Sequence, residues 1–358
     1  MRTLKAVILI GGFGTRLRPL TCTRPKALFP IANKPLLQMT FERLSESGVN
    51  EVILAVNALT EFHIKQQRLP KCGLKVKFSR DPPKMPLGTA GPIKKAEKLI
   101  GYKEPFLVLN GDILADFSYR ELWESHKEDT AVATIALHEV EDPTRYGVAE
   151  LALDKRIKRF IEKPAKELAP TKLINAGAYV LSPKIFSYIP SGRPVSMERE
   201  VFPKLAEQNV FYGHEVSGLW IDMGKPEEYL QTNRIVLDTF GSKQNMPKTG
   251  NFEIKLPVAV DKGVVIGENS VIGPYAVLGR NVSVGCNVHI SNSVVFADAK
   301  IGDFAAITGA LIGEGVVVGK KTKIVEGCII ADQARVRDGV ALGKGVSVCP
   351  AKEICEGI

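Results

Sequence analysis

Val265-Ile266-Gly267-Glu268-Asn269-Ser270-Val271-Ile272-Gly273-Pro274-Tyr275-Ala276-Val277-Leu278-Gly279-Arg280-Asn281-Val282-Ser283-Val284-Gly285 sets an aliphatic residue with a glycine behind it on every sixth position. The beat continues through Ile290 and Phe296. A one-residue slip brings in Ile301 and Ile307, a second brings in Ile312, and the spacing then holds through Val318, Ile324, Ile330, Val336, Leu342 and Val348. A hexapeptide beat with an inward aliphatic corner is the mark of a parallel β-helix, in which three hexads close one coil and each coil buries its corners against its neighbours. Fifteen beats predict about five coils at three hexads each. Such an element serves first as a scaffold that self-associates or docks.

Upstream the pattern is different. The polar Pro/Gly/Asn stretch from Gln244 to Lys255 reads as a linker, placed at 241–257 between a first domain over 1–240 and the β-helix over 258–358. In the first domain, short apolar runs alternate with amphipathic stretches: strand at Ala6 to Ile10, helix at Leu36 to Ser47, strand at Val52 to Val56, helix at Gly91 to Leu99, strand at Phe106 to Leu109. Strands without a polar face lie in a mostly parallel, Rossmann-like sheet covered by helices, with binding loops at the strands' C-terminal ends. The fold class is α/β followed by a β-helix.

A chain of 358 residues suits two domains. Hydrophobic residues at 45% and charged residues at 24% exclude a disordered chain. No apolar run approaches the roughly 18 residues of a membrane span, and Ala6 to Ile10 is too short for a signal peptide's apolar core, so a cytoplasmic protein without membrane partners is expected. The formal charge of +9 favours anionic partners, but without a basic block or aromatic interleaving nucleic acid is not among those expected. Cys22, Cys72, Cys286, Cys328, Cys349 and Cys355 form no CxxC pair and no zinc-finger spacing, which predicts buried thiols in a reducing compartment.

The chemistry is written after the first strand. Gly11-Gly12-Phe13-Gly14-Thr15-Arg16-Leu17-Arg18-Pro19, followed by Thr21 and Pro25-Lys26, fits neither GxGxxG nor the P-loop. Glycines there let backbone N–H groups approach an anion, and Arg16, Arg18 and Lys26 add the fixed charge that a polyphosphate needs. Asn110-Gly111-Asp112 puts a carboxylate at a strand's C-terminal end, and Asp222 stands in Leu219-Trp220-Ile221-Asp222-Met223-Gly224. Together they suit Mg²⁺, which keeps water and phosphate oxygens among its ligands. Glu162-Lys163 offers a hydroxyl acceptor beside a phosphate donor, with Gly147 and Asn175-Ala176-Gly177 as companions.

Taken with Leu87-Gly88-Thr89-Ala90-Gly91, Phe160 to Pro164 and Trp220 to Gly224, these stretches resemble the sugar-1-phosphate nucleotidylyltransferases, most of all the two-domain mannose-1-phosphate guanylyltransferases. Ser196 to Pro203 and Val348-Cys349-Pro350 are similar to that branch too. The resemblance implies a nucleotide-binding α/β domain joined to a left-handed β-helix, and transfer of a nucleotidyl group, with GTP and mannose 1-phosphate the expected substrates. By that likeness Leu9, Gly11, Gly12, Gly14 and Thr15 bind the nucleotide, with Gly88 near the base. Arg16 and Lys26 hold the triphosphate, Asp112 and Asp222 carry Mg²⁺, Lys163 grips the sugar phosphate, and Gly147, Glu162 and Asn175 line the sugar pocket. No general base is implied.

Three other readings share these residues. Relatives using dTTP or UTP with glucose 1-phosphate have most of the same motifs, and base choice turns on the stretch Arg80 to Gly91. Bifunctional acyltransferases of this architecture want a histidine in the β-helix, where His289 alone stands, one place before an inward corner. Regulatory subunits of the fold typically have eroded catalytic motifs, whereas Arg16, Lys26, Asp112, Lys163 and Asp222 are all present.

Overall fold

Three apolar runs, Ala6 to Ile8, Val52 to Val56 and Phe106 to Val108, have no polar face to turn to water, and each is a strand buried on both sides. They belong to β1 (Lys5–Leu9), β2 (Glu51–Val56) and β4 (Phe106–Asn110), which with β3 (Lys75–Arg80) form a parallel set in the order β4-β1-β2-β3. The computed structural model describes residues 4–12, 14–67, 69–82, 85–126, 131–240 and 250–357. Its contacts divide the chain into two units, Met1–Gly12 with Leu37–Ile221 and Phe13–Leu36 with Asp222–Ile358.

In the first unit the sheet is mixed. Beyond the parallel set lie β5 (Ala133–Glu139), β6 (Gly147–Leu151), β7 (Ile157–Glu162), β8 (Leu173–Leu181) and β9 (Phe211–Glu215). Strand β8 runs antiparallel to β4, β5 and β6, while β7 is antiparallel to β6 and β9 parallel to β5. The helix Ala58–Gln67 and strand β3 escape the apolar-run reading. Strand β3 is Lys-Val-Lys-Phe-Ser-Arg at the sheet's edge, where charges replace a continuous apolar run. The buried Glu51 at the start of β2 accepts a hydrogen bond from Lys77 Nζ at 2.8 Å, so its charge is paired across the sheet. The helix expected from Gly91 to Leu99 is two short ones, Gly91–Lys95 and Glu97–Ile100. Below the sheet Phe202 stacks on Phe211 at 4.8 Å and meets Phe160 and Tyr179 edge-on.

The second unit contains three parallel sheets of six short strands each, running from Glu253–Ile254 to Glu353–Ile354. This is the left-handed hexapeptide β-helix, with six coils in place of five. The beat extends backward through Val260 and Ile254 and forward to Ile354, where charged neighbours hide it from a search for apolar runs. The expected linker is therefore shorter: Glu253–Ile254 is already the first rung, and residues 241–249 of that assignment lie outside the described residues. The first slip also moves. Val295, paired with Leu278 and Ile312, is the inward corner, and Phe296 turns outward from the coil. There it meets Phe29 at 5.9 Å and Tyr229 at 6.4 Å, both edge-on.

Residues 13–36 and the helix Pro226–Phe240 group with these coils, although a boundary near residue 240 places them in the first domain. Asn233 Oδ1 accepts from the Ala32 amide at 2.9 Å, Tyr229 donates its hydroxyl proton to Pro30 O, and Asn33 Nδ2 donates to Leu278 O at 2.9 Å. Of the six cysteines Cys328 alone is buried, while Cys22, Cys349 and Cys355 are exposed, so the expectation of buried thiols holds for one residue. Among the described residues no helix is long and apolar enough to cross a membrane.

Candidate active site

The division between the units falls inside two of the motifs, between Gly12 and Phe13 and between Ile221 and Asp222. Each unit holds its own group of candidate residues. In the first, Leu9 ends β1 between Ala55 and Asn110 of the flanking strands, and Gly11 and Gly12 follow at the C-terminal end of the parallel set. Asn57 Nδ2 donates to Gly11 O at 3.1 Å and the Gly111 amide to Leu9 O at 3.0 Å, which fixes this turn and brings Asp112, half-buried, to the strand end beside it.

Strand pairing brings Gly147 opposite Glu162. A Cβ on Gly147 would overlap the Phe160 ring and stand 3.0 Å from Glu162 Oε2, so glycine leaves the carboxylate its room. Burial, with Glu198 nearby, raises the pKa of Glu162 above the ordinary carboxylate value. Lys163 Nζ lies 3.7 Å from Glu162 Oε1 on a largely exposed side chain, and its backbone adopts a left-handed φ of 51°. Asn175 Nδ2 donates to the Tyr179 hydroxyl at 3.1 Å, and its Oδ1 accepts from the Gly177 amide at 2.9 Å. Glu162, Glu198 and Asn175 all act on the buried Tyr179 hydroxyl, whose pKa burial pushes up, so these side chains lie close together.

In the second unit Gly14 is left-handed, with φ 56°, and its carbonyl accepts from Thr21 Oγ1 at 2.9 Å. Thr15 and Arg16 are exposed in the short turn that follows, and a Cβ on Gly224 would stand 3.1 Å from an Arg16 guanidinium nitrogen. Lys26 opens the turn Lys26–Leu28, its side chain 10% exposed, with Nζ 3.5 Å from Asp222 Oδ1. The Gly14 turn, two cations and one carboxylate thus gather in this unit, while Gly11, Gly12 and Asp112 belong to the other. Phe13, within the glycine loop, lies outside the described residues, as do Pro83 and Lys84 within Arg80 to Gly91.

Two family models match, one described as nucleotidyl transferase over residues 5–239 and one as the GMPPB C-terminal domain over residues 254–358. A mannose-1-phosphate guanyltransferase of Yarrowia lipolytica is 40% identical, with 99% of this chain and 98% of the relative covered. Mannose-1-phosphate guanylyltransferase 1 of Arabidopsis thaliana is 37% identical over the same shares. The chain belongs to the mannose-1-phosphate guanylyltransferase branch of the nucleotidyl transferase family. Among solved structures, HddC of Yersinia pseudotuberculosis, also solved in complex with GMP-PN, is similar to 65% of this chain and 99% of its own, with TM-scores of 0.56 and 0.55 and identities of 32% and 31%.

Two carboxylates of this family member escape the motif reading. Glu198 accepts from Thr89 Oγ1 at 2.6 Å and Ser196 Oγ at 2.8 Å. It lies in the stretch Ser196 to Pro203 that carries the family likeness, but no spacing in the sequence gives it a part. Asp81, just after β3, has Oδ2 3.0 Å from where a Cβ on Gly11 would stand, and its buried Oδ1 has no hydrogen-bond partner among the described residues. Burial raises its pKa to about 6, with Lys95 pulling the other way. The folded state therefore holds this proton where the unfolded chain has lost it. The associated stability is present below the unfolded value of 3.8 and disappears as pH rises through about 6. Asp81→Asn is expected to raise the melting temperature of the free protein at pH 7.5 and to leave it unchanged at pH 4, as calorimetry at the two pH values will show. An equal shift at both would mean that the carboxylate is not strained by burial.

Proposed function

We propose that this protein joins GTP and mannose 1-phosphate to give GDP-mannose and pyrophosphate. The observation that carries this is the Lys26–Asp222 pair at 3.5 Å, intact beside the glycine loop in a chain alike, end to end, to relatives named for that activity. A phosphate oxygen of mannose 1-phosphate attacks the α-phosphorus of GTP, and the bond to the bridging oxygen of the β-phosphate breaks. The attacking oxygen is already anionic at neutral pH, so no base is required. Alignment and charge stabilisation remain as the protein's task. Leu9, Gly11, Gly12, Gly14 and Thr15 bind the nucleotide, with Gly88 beneath the base, and Arg16 and Lys26 bear on the triphosphate and the departing pyrophosphate. Lys163 holds the sugar phosphate, while Gly147, Glu162 and Asn175 face the sugar.

The donor chemistry suits a divalent cation. Asp112 and Asp222 are hard oxygen donors, and among the described residues no cluster of three or more His, Cys, Asp or Glu could enclose a metal, which leaves coordination places for phosphate and water. Asp112 and Asp222 would hold Mg²⁺, which neutralises phosphate charge when bound. The unpartnered oxygen of Asp81 favours a base that donates, and guanine presents its N1–H and N2–H groups side by side. In this proposal residues 1–240 carry the chemistry and the β-helix at 258–358 mediates self-association in the cytoplasm, which light scattering tests.

With GTP, mannose 1-phosphate and Mg²⁺ the protein is expected to release pyrophosphate, and EDTA to stop it. A panel of GTP, ATP, CTP, UTP and dTTP against mannose, glucose and N-acetylglucosamine 1-phosphates decides the substrate pair. Turnover with none of these would falsify the proposal.

A further inference from the structure

The segment that carries Lys26 has little structure of its own. Between Leu20 and Pro35 it consists of the short turns Leu20–Cys22 and Lys26–Leu28 and a pair of two-residue strands, Pro30–Ile31 and Lys34–Pro35. Such a chain does not fix a lysine without outside support. Support comes from three successive coils of the β-helix. Thr23 Oγ1 donates to Asp332 Oδ2 at 2.8 Å, Arg24 pairs with Glu314 and lies 3.6 Å from Asp332 Oδ2, and the Arg24 guanidinium sits 5.1 Å above the Phe296 ring. The side chains of Arg24 and Asp332 are each 11% exposed, so these interactions are screened far less than surface pairs.

Asp332 divides its carboxylate between two tasks. Its Oδ1 accepts from the Glu314 amide at 2.8 Å and ties one coil to the next, while Oδ2 serves Thr23 and Arg24. Asp303 makes the same coil-to-coil bond, to the Cys286 amide at 3.0 Å, but spends its other oxygen on Lys320 of the β-helix, 3.0 Å away. The outward turn of Phe296 at the first slip supplies the remaining face. We propose that Asp332, Glu314 and Arg24 are positioning residues through which the β-helix sets the place of Lys26, making these coils a working part of nucleotidyl transfer as well as a scaffold. This rests on the reading that Lys26 acts on the triphosphate. Asp332 and Glu314 touch no substrate, and their effect passes through Arg24 and Pro25, the one residue that separates it from Lys26.

The test uses the full chain, with GTP and mannose 1-phosphate as substrates. Asp332→Asn and Arg24→Met are each expected to lower kcat/KM for GTP about 10-fold and leave KM for mannose 1-phosphate unchanged, since misplacement of a catalytic group by an ångström costs up to about 100-fold. Asp303→Asn, which loses the same kind of coil contact away from the segment, is expected to keep wild-type kinetics. In a Lys26→Ala background Asp332→Asn is expected to add no further loss. Should Asp332→Asn fail to fold, Arg24→Met carries the test, because it leaves the coil-to-coil bond in place. A slow Lys26→Ala enzyme in which Asp332→Asn and Arg24→Met behave like Asp303→Asn, or add their full loss to that of Lys26→Ala, overturns the positioning role alone. A Lys26→Ala enzyme at wild-type rate removes the role of Lys26, and the positioning role with it.

Discussion

Lys26→Ala is expected to slow nucleotidyl transfer by two to three decades, about 3–4 kcal/mol of barrier. The side chain is nearly buried, its ammonium 3.5 Å from Asp222, and the backbone that bears it follows a loop whose left-handed Gly14 is held by Thr21. A charge fixed in this way costs little reorganisation when negative charge moves onto the leaving pyrophosphate, which is where preorganised groups act most strongly. The loss should fall on synthesis and on pyrophosphorolysis alike, because both pass through one transition state. Lys26→Arg should recover little, since a planar fork does not replace a compact ammonium facing one carboxylate oxygen. Lys26→Met keeps the volume and separates lost charge from lost packing. Steady-state rates within a factor of three of wild type for Lys26→Ala and Lys26→Met would remove Lys26 from the mechanism.

The fold was legible wherever burial repeats with a fixed period. The buried corners from Ile266 to Val348 recur at a spacing of six with few slips, and the runs in β1, β2 and β4 are apolar because both faces are covered. Legibility fails where charge is kept inside or at an edge. Strand β3 has lysines where an inner strand would have aliphatics, and Ile254 and Ile354 sit among charged neighbours at the two ends of the β-helix. Phe296 shows a subtler limit, because two adjacent apolar residues can both serve as the corner and only strand pairing decides for Val295. The site was legible where a motif is contiguous. Arg16, Lys26 and Asp222 fall in one unit, Gly147 pairs opposite Glu162, and Glu162 and Asn175 both bear on Tyr179. Asp81, Glu198 and Asp332 were not legible, since each acts on residues far away in the chain. Asp332 reaches Thr23 across 309 positions, and Glu198 reaches Thr89 across 109.

Gly88→Ala is expected to be the most destabilising single-methyl change in the first unit. Gly88 has φ +74°, and a Cβ there would overlap the Val195 carbonyl oxygen and stand 2.9 Å from its carbon. Neither atom can yield, because that carbonyl accepts from the Ala90 amide at 2.9 Å and the Val195 amide donates to Leu87 O at 3.0 Å. Just beyond, Thr89 Oγ1 accepts from the Met197 amide at 2.8 Å and donates to Glu198. Alanine in the left-handed region costs about 1 kcal/mol. Displacing the buried Val195 and Met197 with their hydrogen bonds adds about 2 kcal/mol or more. A total of about 3 kcal/mol lowers the melting temperature by about 6–10 °C in a unit of this size. Gly192 is the control, with φ +82° and nothing within 4 Å of an added Cβ, so Gly192→Ala suffers the backbone cost alone and should melt only about 2–4 °C low. On the proposal that Gly88 lies near the base, the crossing at Val195 also shapes that turn, and Gly88→Ala should raise KM for GTP while KM for mannose 1-phosphate stays near wild type. If calorimetry finds both variants melting together, Val195 yields to the added methyl, and the close crossing of the two segments is not what requires glycine at this position.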